Sequence, residues 1–395
     1  MKNVVILGST GSIGVNAVRA VRNLGKGWRV LGLTANSDLK ALSSQVRAVK
    51  PACVAVFDYA AWKEYSACVP RGVKLLSPGV EGLVEMASLQ EADIVLSAVA
   101  GAAGFAPLLA AIRASKHIAL ANKEPMVMAG ELLMKEAQRW QAKIIPVDSE
   151  PSAIFQCLAG IKPGRYDDAV SRVFLTASGG PFYAAEGPLD KVTPEQALRH
   201  PRWNMGPKIT VDSSTLMNKG LEAIEIQNIF SLPVSKIEVL IHPQSVVHSG
   251  VEFKDGSVLA QLSWPDMKLP IQYALTWPDR AASLAEPLDF IKLSRLDFAR
   301  PDFRRFPCLE LAFAASRSGG ICPAALNAAN EVAVERFLAG GLRFTEIPVV
   351  VEKVLAACRG DSRERLTLAG AVEADGWARQ KAAEAADGIR RRGKK

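Results

Sequence analysis

Over its first 148 residues the chain alternates short apolar runs with amphipathic stretches, and that rhythm leaves few folds open. Val4–Leu7, Arg29–Thr34, Cys53–Phe57, Asp93–Ala98, His117–Leu120 and Lys143–Val147 read as strands. Helical patterns fill the gaps, for example Ile13–Leu24 and Phe105–Ala114. Strand–helix alternation at this spacing predicts an α/β fold that opens with a Rossmann-type, doubly wound parallel sheet. Ligands of such sheets bind at the carboxyl ends of the strands, so the residues following each apolar run are the first to inspect.

The first run ends in Gly8-Ser9-Thr10-Gly11-Ser12-Ile13-Gly14. Glycines allow a tight turn there, and the next helix offers free backbone N–H groups to a pyrophosphate. The spacing is G-x-x-G-x-x-G and not the commoner G-x-G-x-x-G, so a merely structural turn is the competing reading. Its place at the start of a βα series favours dinucleotide binding through Thr10, Gly11, Ser12 and Ile13. The second run ends in Thr34-Ala35-Asn36-Ser37, with no acid before Asp38. A carboxylate at that point takes the ribose hydroxyls of NAD. Without one, Ala35 and Asn36 suit the 2′-phosphate of NADP, although no Arg or Lys stands ready to clamp it.

Ala100-Gly101-Ala102-Ala103-Gly104 reads as the far side of the same crevice, or as a plain turn before a helix. Asn122-Lys123-Glu124 follows the fifth run, where Lys123 could meet a developing oxyanion; ordinary helix-start polarity competes. The sixth run leads into Val147-Asp148-Ser149-Glu150. If that segment stays extended, Asp148 and Glu150 leave on one face, two residues apart. A strand end carrying solvated acids is the bland alternative.

Residues 149–276 change character and read as an α+β domain with a largely antiparallel sheet: Val173–Thr176, Ile237–Ile241 and Ser257–Leu262, with a hairpin turn at Asp255-Gly256. Three polar loops are expected. Thr176-Ala177-Ser178-Gly179-Gly180-Pro181 brings backbone N–H groups to an anion. His200-Pro201-Arg202-Trp203-Asn204-Met205-Gly206 suggests a lid, or a loop anchored by a buried Trp. Asp212 to Glu222 carries phosphate-compatible donors in Ser213, Asn218 and Lys219. Glu222 and Glu225 lie three apart on a helical stretch, hence on one face. His242 and His248, near a strand end, read as structural or as supports just outside a site. With four histidines and no H-x-x-x-H pattern a zinc site is disfavoured. Convergence of Asp148, Glu150 and Glu222 would give an all-carboxylate site for Mg²⁺ or Mn²⁺.

Residues 277–303, dotted with Pro278, Pro287 and Pro301, suit an extended linker. Residues 304–395 read as a small helical bundle with a basic tail. Asn327-Ala328-Ala329-Asn330-Glu331 is placed at a helix start. The 395 residues carry a formal net charge of +8, part of it in Arg390, Arg391, Arg392, Lys394 and Lys395. A solvated, frayed terminus accounts for that run better than a nucleic-acid arm does. The remaining excess suits an anionic small substrate, and neither nucleic acid nor membrane is expected as a partner. Six scattered cysteines without a C-x-x-C pair, and a strand starting at Val4 with no room ahead of it for a signal peptide, point to a reducing cytoplasm. No apolar run approaches the roughly 18 residues of a membrane span.

Taken together, Gly8–Gly14, Ala121-Asn122-Lys123-Glu124, Val147–Glu150, Ser178–Phe182, His200-Pro201 with Trp203 and Met205-Gly206, Met217–Glu222, Ile241–Val246 and Ala325–Glu331 resemble one family, the 1-deoxy-D-xylulose 5-phosphate reductoisomerases. The pieces run in the family's order along nearly the whole chain. The resemblance implies a homodimeric enzyme of the non-mevalonate isoprenoid pathway that uses NADPH and a divalent metal, Mg²⁺ or Mn²⁺ with Co²⁺ as a further option. It would rearrange 1-deoxy-D-xylulose 5-phosphate and reduce the product to 2-C-methyl-D-erythritol 4-phosphate. Residues 1–148 would bind NADPH, 149–276 would carry catalysis and the dimer contact, and the helical domain would follow.

By position, Asp148, Glu150 and Glu222 would hold the metal, with Lys123 beside the reacting centre. Ser149, Glu150, Ser178, His200, Ser213, Asn218, Lys219 and Glu222 would bind the phosphosugar. Thr10, Gly11, Ser12, Ile13, Ala35, Asn36, Asn122, Lys123, Glu124, Met205 and Gly206 would line the cofactor site, Met205 together with Trp203 in a closing loop. Three positions depart from the family's usual pattern: Pro125 stands where Ser is common, Pro151 where His is common, and Ala177 where Gly is frequent. Pro151 removes a ring and a backbone donor. Two other readings stay open. A simple NAD(P) dehydrogenase would need no carboxylate trio and would survive EDTA. A non-catalytic nucleotide sensor would bind cofactor without oxidising it.

Overall fold

A computed structural model describes residues 1–203, 205–282, 284–358 and 366–392. The chain forms two compact units. The first comprises Met1–Pro125, Leu133–Phe155 and Asp266–Pro287, the second Met126–Leu132, Gln156–Pro265 and Leu288–Lys395.

The first unit holds β1 (Lys2–Leu7), β2 (Trp28–Ala35), β3 (Cys53–Val56), β4 (Lys74–Leu75), β5 (Ile94–Ser97), β6 (His117–Leu120) and β7 (Lys143–Pro146). They pair in parallel in the order β4-β3-β2-β1-β5-β6-β7. The expected doubly wound sheet is therefore present, with one short strand, β4, too brief to show a pattern. Val4, Val5, Ile6 and Leu7 are all fully buried, as a central parallel strand covered on both faces requires. Between the strands run α1 (Ser12–Asn23), α2 (Leu39–Val49), α3 (Tyr59–Ser66), α4 (Gly79–Ala87), α5 (Phe105–Arg113) and the start of α6 (Glu124–Arg139). Strand order reverses between β1 and β5, which opens a crevice at their carboxyl ends.

The chain leaves β7 differently from the sequence reading. The strand stops at Pro146, the Val147 amide makes a last bond to β6 by donating to the Leu120 carbonyl at 2.7 Å, and α7 (Ser149–Cys157) starts two residues later. Asp148 and Glu150 thus flank a helix start and do not share one face of an extended strand. The Asp148 carbonyl accepts from the Ser152 amide at 2.8 Å, closing the first turn. Pro151 sits in that turn, and Pro125 in the first turn of α6, where an N–H has no intrahelical partner to lose. Neither proline costs its helix a hydrogen bond.

The second unit holds α8 (Tyr166–Ala169), β8 (Val170–Ala177), α9 (Pro194–Ala197), α10 (Pro207–Ser214), α11 (Met217–Phe230), β9 (Ile237–Ile241), β10 (Val247–Phe253) and β11 (Val258–Leu262). After α12 (Lys268–Thr276), which packs in the first unit, come α13 (Phe290–Leu293), α14 (Cys308–Ser318), α15 (Cys322–Leu338), α16 (Ile347–Cys358) and α17 (Leu368–Arg392). The sheet order is β11-β10-β8-β9. β10 is antiparallel to β8 and β11, but β8 and β9 run parallel, so the sheet is mixed. The hairpin at Asp255-Gly256 is as expected: Gly256 takes φ +86° and Asp255 Oδ1 accepts from the Ser257 amide at 2.9 Å.

Two expectations need correction here. Asp212–Glu222 is no loop; α10 and α11 share it, joined through Leu216 in the left-handed region at φ +59°. Its polar side chains hid the helices because most of them are buried against partners, which erases the amphipathic stripe. Asn327–Glu331 lies in the middle of α15, with Asn327 and Asn330 fully buried. The basic run at the C-terminus lies partly in α17, where Arg390 is exposed, while Lys394 and Lys395 lie outside the described residues. No helix among the described residues is long and apolar enough to cross a membrane.

The glycine loop makes a test of the packing. A Cβ at Gly14 would come within 2.3 Å of the Gly8 carbonyl oxygen, whereas one at Gly11 finds its nearest atom at 3.6 Å. Gly14→Ala is expected to lose about 1–3 kcal/mol in chemical denaturation and Gly11→Ala under about 0.5 kcal/mol. Equal losses would contradict this geometry.

Candidate active site

Within the first unit, the cofactor candidates gather along one edge of the sheet. Gly8 turns the chain at φ +78°, and a side chain there would strike the Ala98 carbonyl at 2.4 Å, so the loops after β1 and β5 lie against each other. Gly11 caps α1 with no side-chain bond, and the first turn contains no acid. Its amides, flanked by Thr10, Ser12 and Ile13, are left for an anion. Ala35 ends β2 and Asn36 follows it. The nearest acid, Asp38, is engaged elsewhere: its carboxylate caps α2 by accepting from the Ala41 amide at 2.9 Å.

Asn122 is buried beside these loops. Its Oδ1 accepts from Ser97 Oγ at 2.9 Å, while its Nδ2 has no hydrogen-bond partner among the described residues. A Cβ on Gly104 would reach within 2.2 Å of that nitrogen, so only glycine leaves room for the amide. A buried donor without an acceptor fits a group supplied by a cofactor. Ser97 was not among the sequence candidates; a hydroxyl ending an otherwise apolar buried strand is the signal that marks it.

Lys123 caps α6 and is 4% exposed. Its ammonium lies 2.5 Å from Asp148 Oδ2. The other Asp148 oxygen accepts from the Ser149 amide at 3.0 Å, and Ser149 Oγ donates to Glu150 Oε2 at 2.6 Å. Glu124 sits in the first turn of α6, where the helix dipole favours a carboxylate. Lys123, Asp148, Ser149 and Glu150 therefore form one cluster, as the sequence placed them, though on helix starts and not on a strand.

The second unit gathers the phosphate candidates. Gly179 and Gly180 follow β8 at φ +85° and +67°, and a Cβ on Gly180 would sit 2.8 Å from the Ser213 carbonyl. That close approach brings Ser178 and Ser213 to His200. His200 Nδ1 accepts from the amides of Arg202 at 3.1 Å and Trp203 at 2.9 Å. The ring proton therefore resides on Nε2, 3.0 Å from Ser178 Oγ and 3.1 Å from Ser213 Oγ. With Nε2–H donating to these oxygens, both hydroxyl hydrogens stay free for an outside acceptor such as a phosphate.

On α11, Asn218, Lys219 and Glu222 share a face. Asn218 Nδ2 donates to Glu222 Oε1 at 2.5 Å, and Lys219 Nζ lies 2.6 Å from Oε2. Glu222 is fully buried, and these two donors offset part of the cost of holding a carboxylate away from water. Met205 and Gly206 lead into α10, which Gly206 caps through backbone geometry alone. Trp203 is half-buried, its ring 6.3 Å from that of His248. His242 and His248 are both held by hydrogen bonds within the second unit. His242 Nε2 accepts from the Val246 and Val247 amides, and its Nδ1 meets the Asp297 carbonyl; His248 bonds Ser263 Oγ.

Burial, and then the Lys219 charge, push the His200 imidazole down from 6.5 to about 4. A folded value below the unfolded one means the folded state holds fewer protons between them. The stability from this residue is complete above about pH 6.5 and is lost as the pH falls toward about 4. His200 is expected to titrate near pH 4 in ¹H–¹⁵N spectra, with Nδ1 unprotonated at neutral pH. A midpoint near 6.5 would contradict the buried, doubly accepting geometry.

Comparisons with known proteins follow this arrangement along the whole chain. Residues 4–130 match the family model described as 1-deoxy-D-xylulose 5-phosphate reductoisomerase, 144–230 its C-terminal domain model, and 262–381 a model described as DXP reductoisomerase C-terminal domain. The 1-deoxy-D-xylulose 5-phosphate reductoisomerase of Elusimicrobium minutum is 52% identical over 97% of both chains. That of Thermodesulfovibrio yellowstonii is 49% identical over 97% of this chain and 98% of its own. A crystal structure of DOX-P reductoisomerase in complex with NADPH, fosmidomycin and magnesium has a TM-score of 0.94 at 40% identity, covering 98% of each chain. The Zymomonas mobilis enzyme in complex with NADPH gives 0.87 at 41% identity, over 98% of this chain and 99% of that one. With these matches spanning both units and every cluster described above, the chain belongs to the 1-deoxy-D-xylulose 5-phosphate reductoisomerase family.

Proposed function

We propose that the two clusters work as one active site. There 1-deoxy-D-xylulose 5-phosphate is rearranged and reduced to 2-C-methyl-D-erythritol 4-phosphate, with NADPH and a divalent cation, as a step of non-mevalonate isoprenoid precursor synthesis in the cytoplasm. The observation that carries this reading is the pairing of Asp148 with Lys123 and of Glu222 with Lys219, each inside its own unit. Two buried or half-buried carboxylates balanced by lysines, with Glu150 beside the first, form a hard, all-oxygen donor set. That set suits Mg²⁺, Mn²⁺ or Co²⁺ and would not select zinc. Relatives bound to NADPH and magnesium support the same assignment.

Asp148, Glu150 and Glu222 would hold the cation, and the orphan Asn122 amide together with the glycine-loop amides would hold NADPH. When bound, the metal polarises the substrate's carbonyl and neighbouring hydroxyl and the cofactor supplies the hydride. The chain's own part is positional and electrostatic. Lys123 presents its ammonium beside the carboxylates, adding positive charge where the oxyanion develops. Ser178 and Ser213, oriented by the neutral His200, donate to the phosphate, with Asn218 and Lys219 adding a donor and a charge. Binding energy from that remote group closes the segment around Trp203 and Met205 and excludes water from the reactive aldehyde.

We further infer a homodimer. β11 is an edge strand whose Val258 and Leu259 are each 52% exposed, an apolar edge of the kind that a second copy covers.

Glu222→Gln is expected to fold, to bind NADPH as before, and to lose at least about 10²-fold in turnover, followed by NADPH absorbance. EDTA should abolish wild-type turnover, and added Mg²⁺ or Mn²⁺ should restore it. Turnover that survives chelation would turn the assignment toward a metal-free dehydrogenase. Light scattering at micromolar concentration should give twice the 42.4 kDa chain mass; the chain mass itself would contradict the dimer.

A further inference from the structure

Asn330 lies in the polar run of α15 that the substrate and cofactor sites leave unused. It is fully buried in a helix of the C-terminal region, yet its amide is not idle. Asn330 Nδ2 donates to Asp212 Oδ1 at 2.7 Å. Asp212 is itself 1% exposed, and its other oxygen lies 2.9 Å from Lys208 Nζ, one turn earlier on α10. A carboxylate this deep is tolerated only if fully engaged, so the amide and the ammonium together fix how α10 is rotated.

That rotation matters because Asp212 adjoins Ser213. The same short helix makes two further ties: Ser213 Oγ meets His200 Nε2, and Ser214 Oγ donates to the Ala197 carbonyl at 2.8 Å. One helix therefore holds the segment leading to His200, and a buried amide from α15 pins that helix from behind.

We propose that Asn330 is a positioning residue. Acting through Asp212, it sets the orientation of α10 so that the Ser213 hydroxyl faces the substrate's phosphate. The inference rests on the reading of Ser178 and Ser213 as phosphate donors. It gives the C-terminal helices a part in substrate affinity.

The test is a double-mutant cycle on the full-length enzyme with Asn330→Ala, Ser213→Ala and the pair. Asn330→Ala should raise the KM for 1-deoxy-D-xylulose 5-phosphate by about tenfold, leave kcat within about twofold, and leave the KM for NADPH unchanged. Inhibition by inorganic phosphate should weaken in parallel. Added to Ser213→Ala, the substitution should raise KM little further, because its effect passes through that hydroxyl. Full additivity would overturn the proposal, as would a loss confined to kcat or an equal rise in both KM values. If Asn330→Ala fails to fold, Asp212→Asn, which keeps the volume and removes the charge, should show the same KM pattern; unchanged KM there would overturn it. A wild-type KM in Ser213→Ala would instead sink the phosphate reading itself.

Discussion

Lysine–carboxylate pairs held away from water are the constraint on which the rest depends. Lys123 with Asp148 and Lys219 with Glu222 are each nearly buried, and burial makes either partner alone untenable. Such pairs contribute little to stability, since desolvation offsets most of their attraction. Their value is positional. Each keeps a carboxylate aimed, in a medium that screens its field less than water does. On the proposed assignment those carboxylates would hold a divalent cation, with Lys123 beside the reacting oxygen and Lys219 beside the phosphate.

The scaffold delivers these groups by simple local devices. Parallel strands end at one edge, and helices start there, so α1, α6 and α7 all begin on the side where the cofactor candidates collect. Prolines 125 and 151 fall in first turns, where a missing N–H is harmless. Proline is therefore accommodated at both positions without disturbing the helices. In the second unit the close approach of Gly180 to Ser213 does comparable work, and the imidazole of His200 joins two hydroxyls into one donor set.

Much of this was legible in the sequence. Apolar runs buried on both faces announced the sheet, and the residues following those runs lie along its carboxyl edge. What escaped was hidden by burial. The polar faces of α10, α11 and α15 looked like loops or helix starts because Asp212, Glu222, Asn327 and Asn330 are interior residues, and a period-3.6 stripe cannot appear where every face is covered. The strand β10 was missed because its polar His248 and Ser249 are buried, which breaks the alternation that betrays a half-exposed strand. The extended reading of Asp148–Glu150 failed for a smaller reason: α7 starts at Ser149, and the Asp148 carbonyl already closes its first turn. Family resemblance supplied the roles proposed for these residues, and the geometry is compatible with them.

The claim most open to direct test is that Asp148, Glu150 and Glu222 share one cation. Electron paramagnetic resonance of Mn²⁺ titrated into the protein measures this without turnover. The account predicts one site per chain, weakened by at least about tenfold in each of Asp148→Asn, Glu150→Gln and Glu222→Gln. Wild-type Mn²⁺ affinity in Glu222→Gln, alongside loss in the other two, would contradict it.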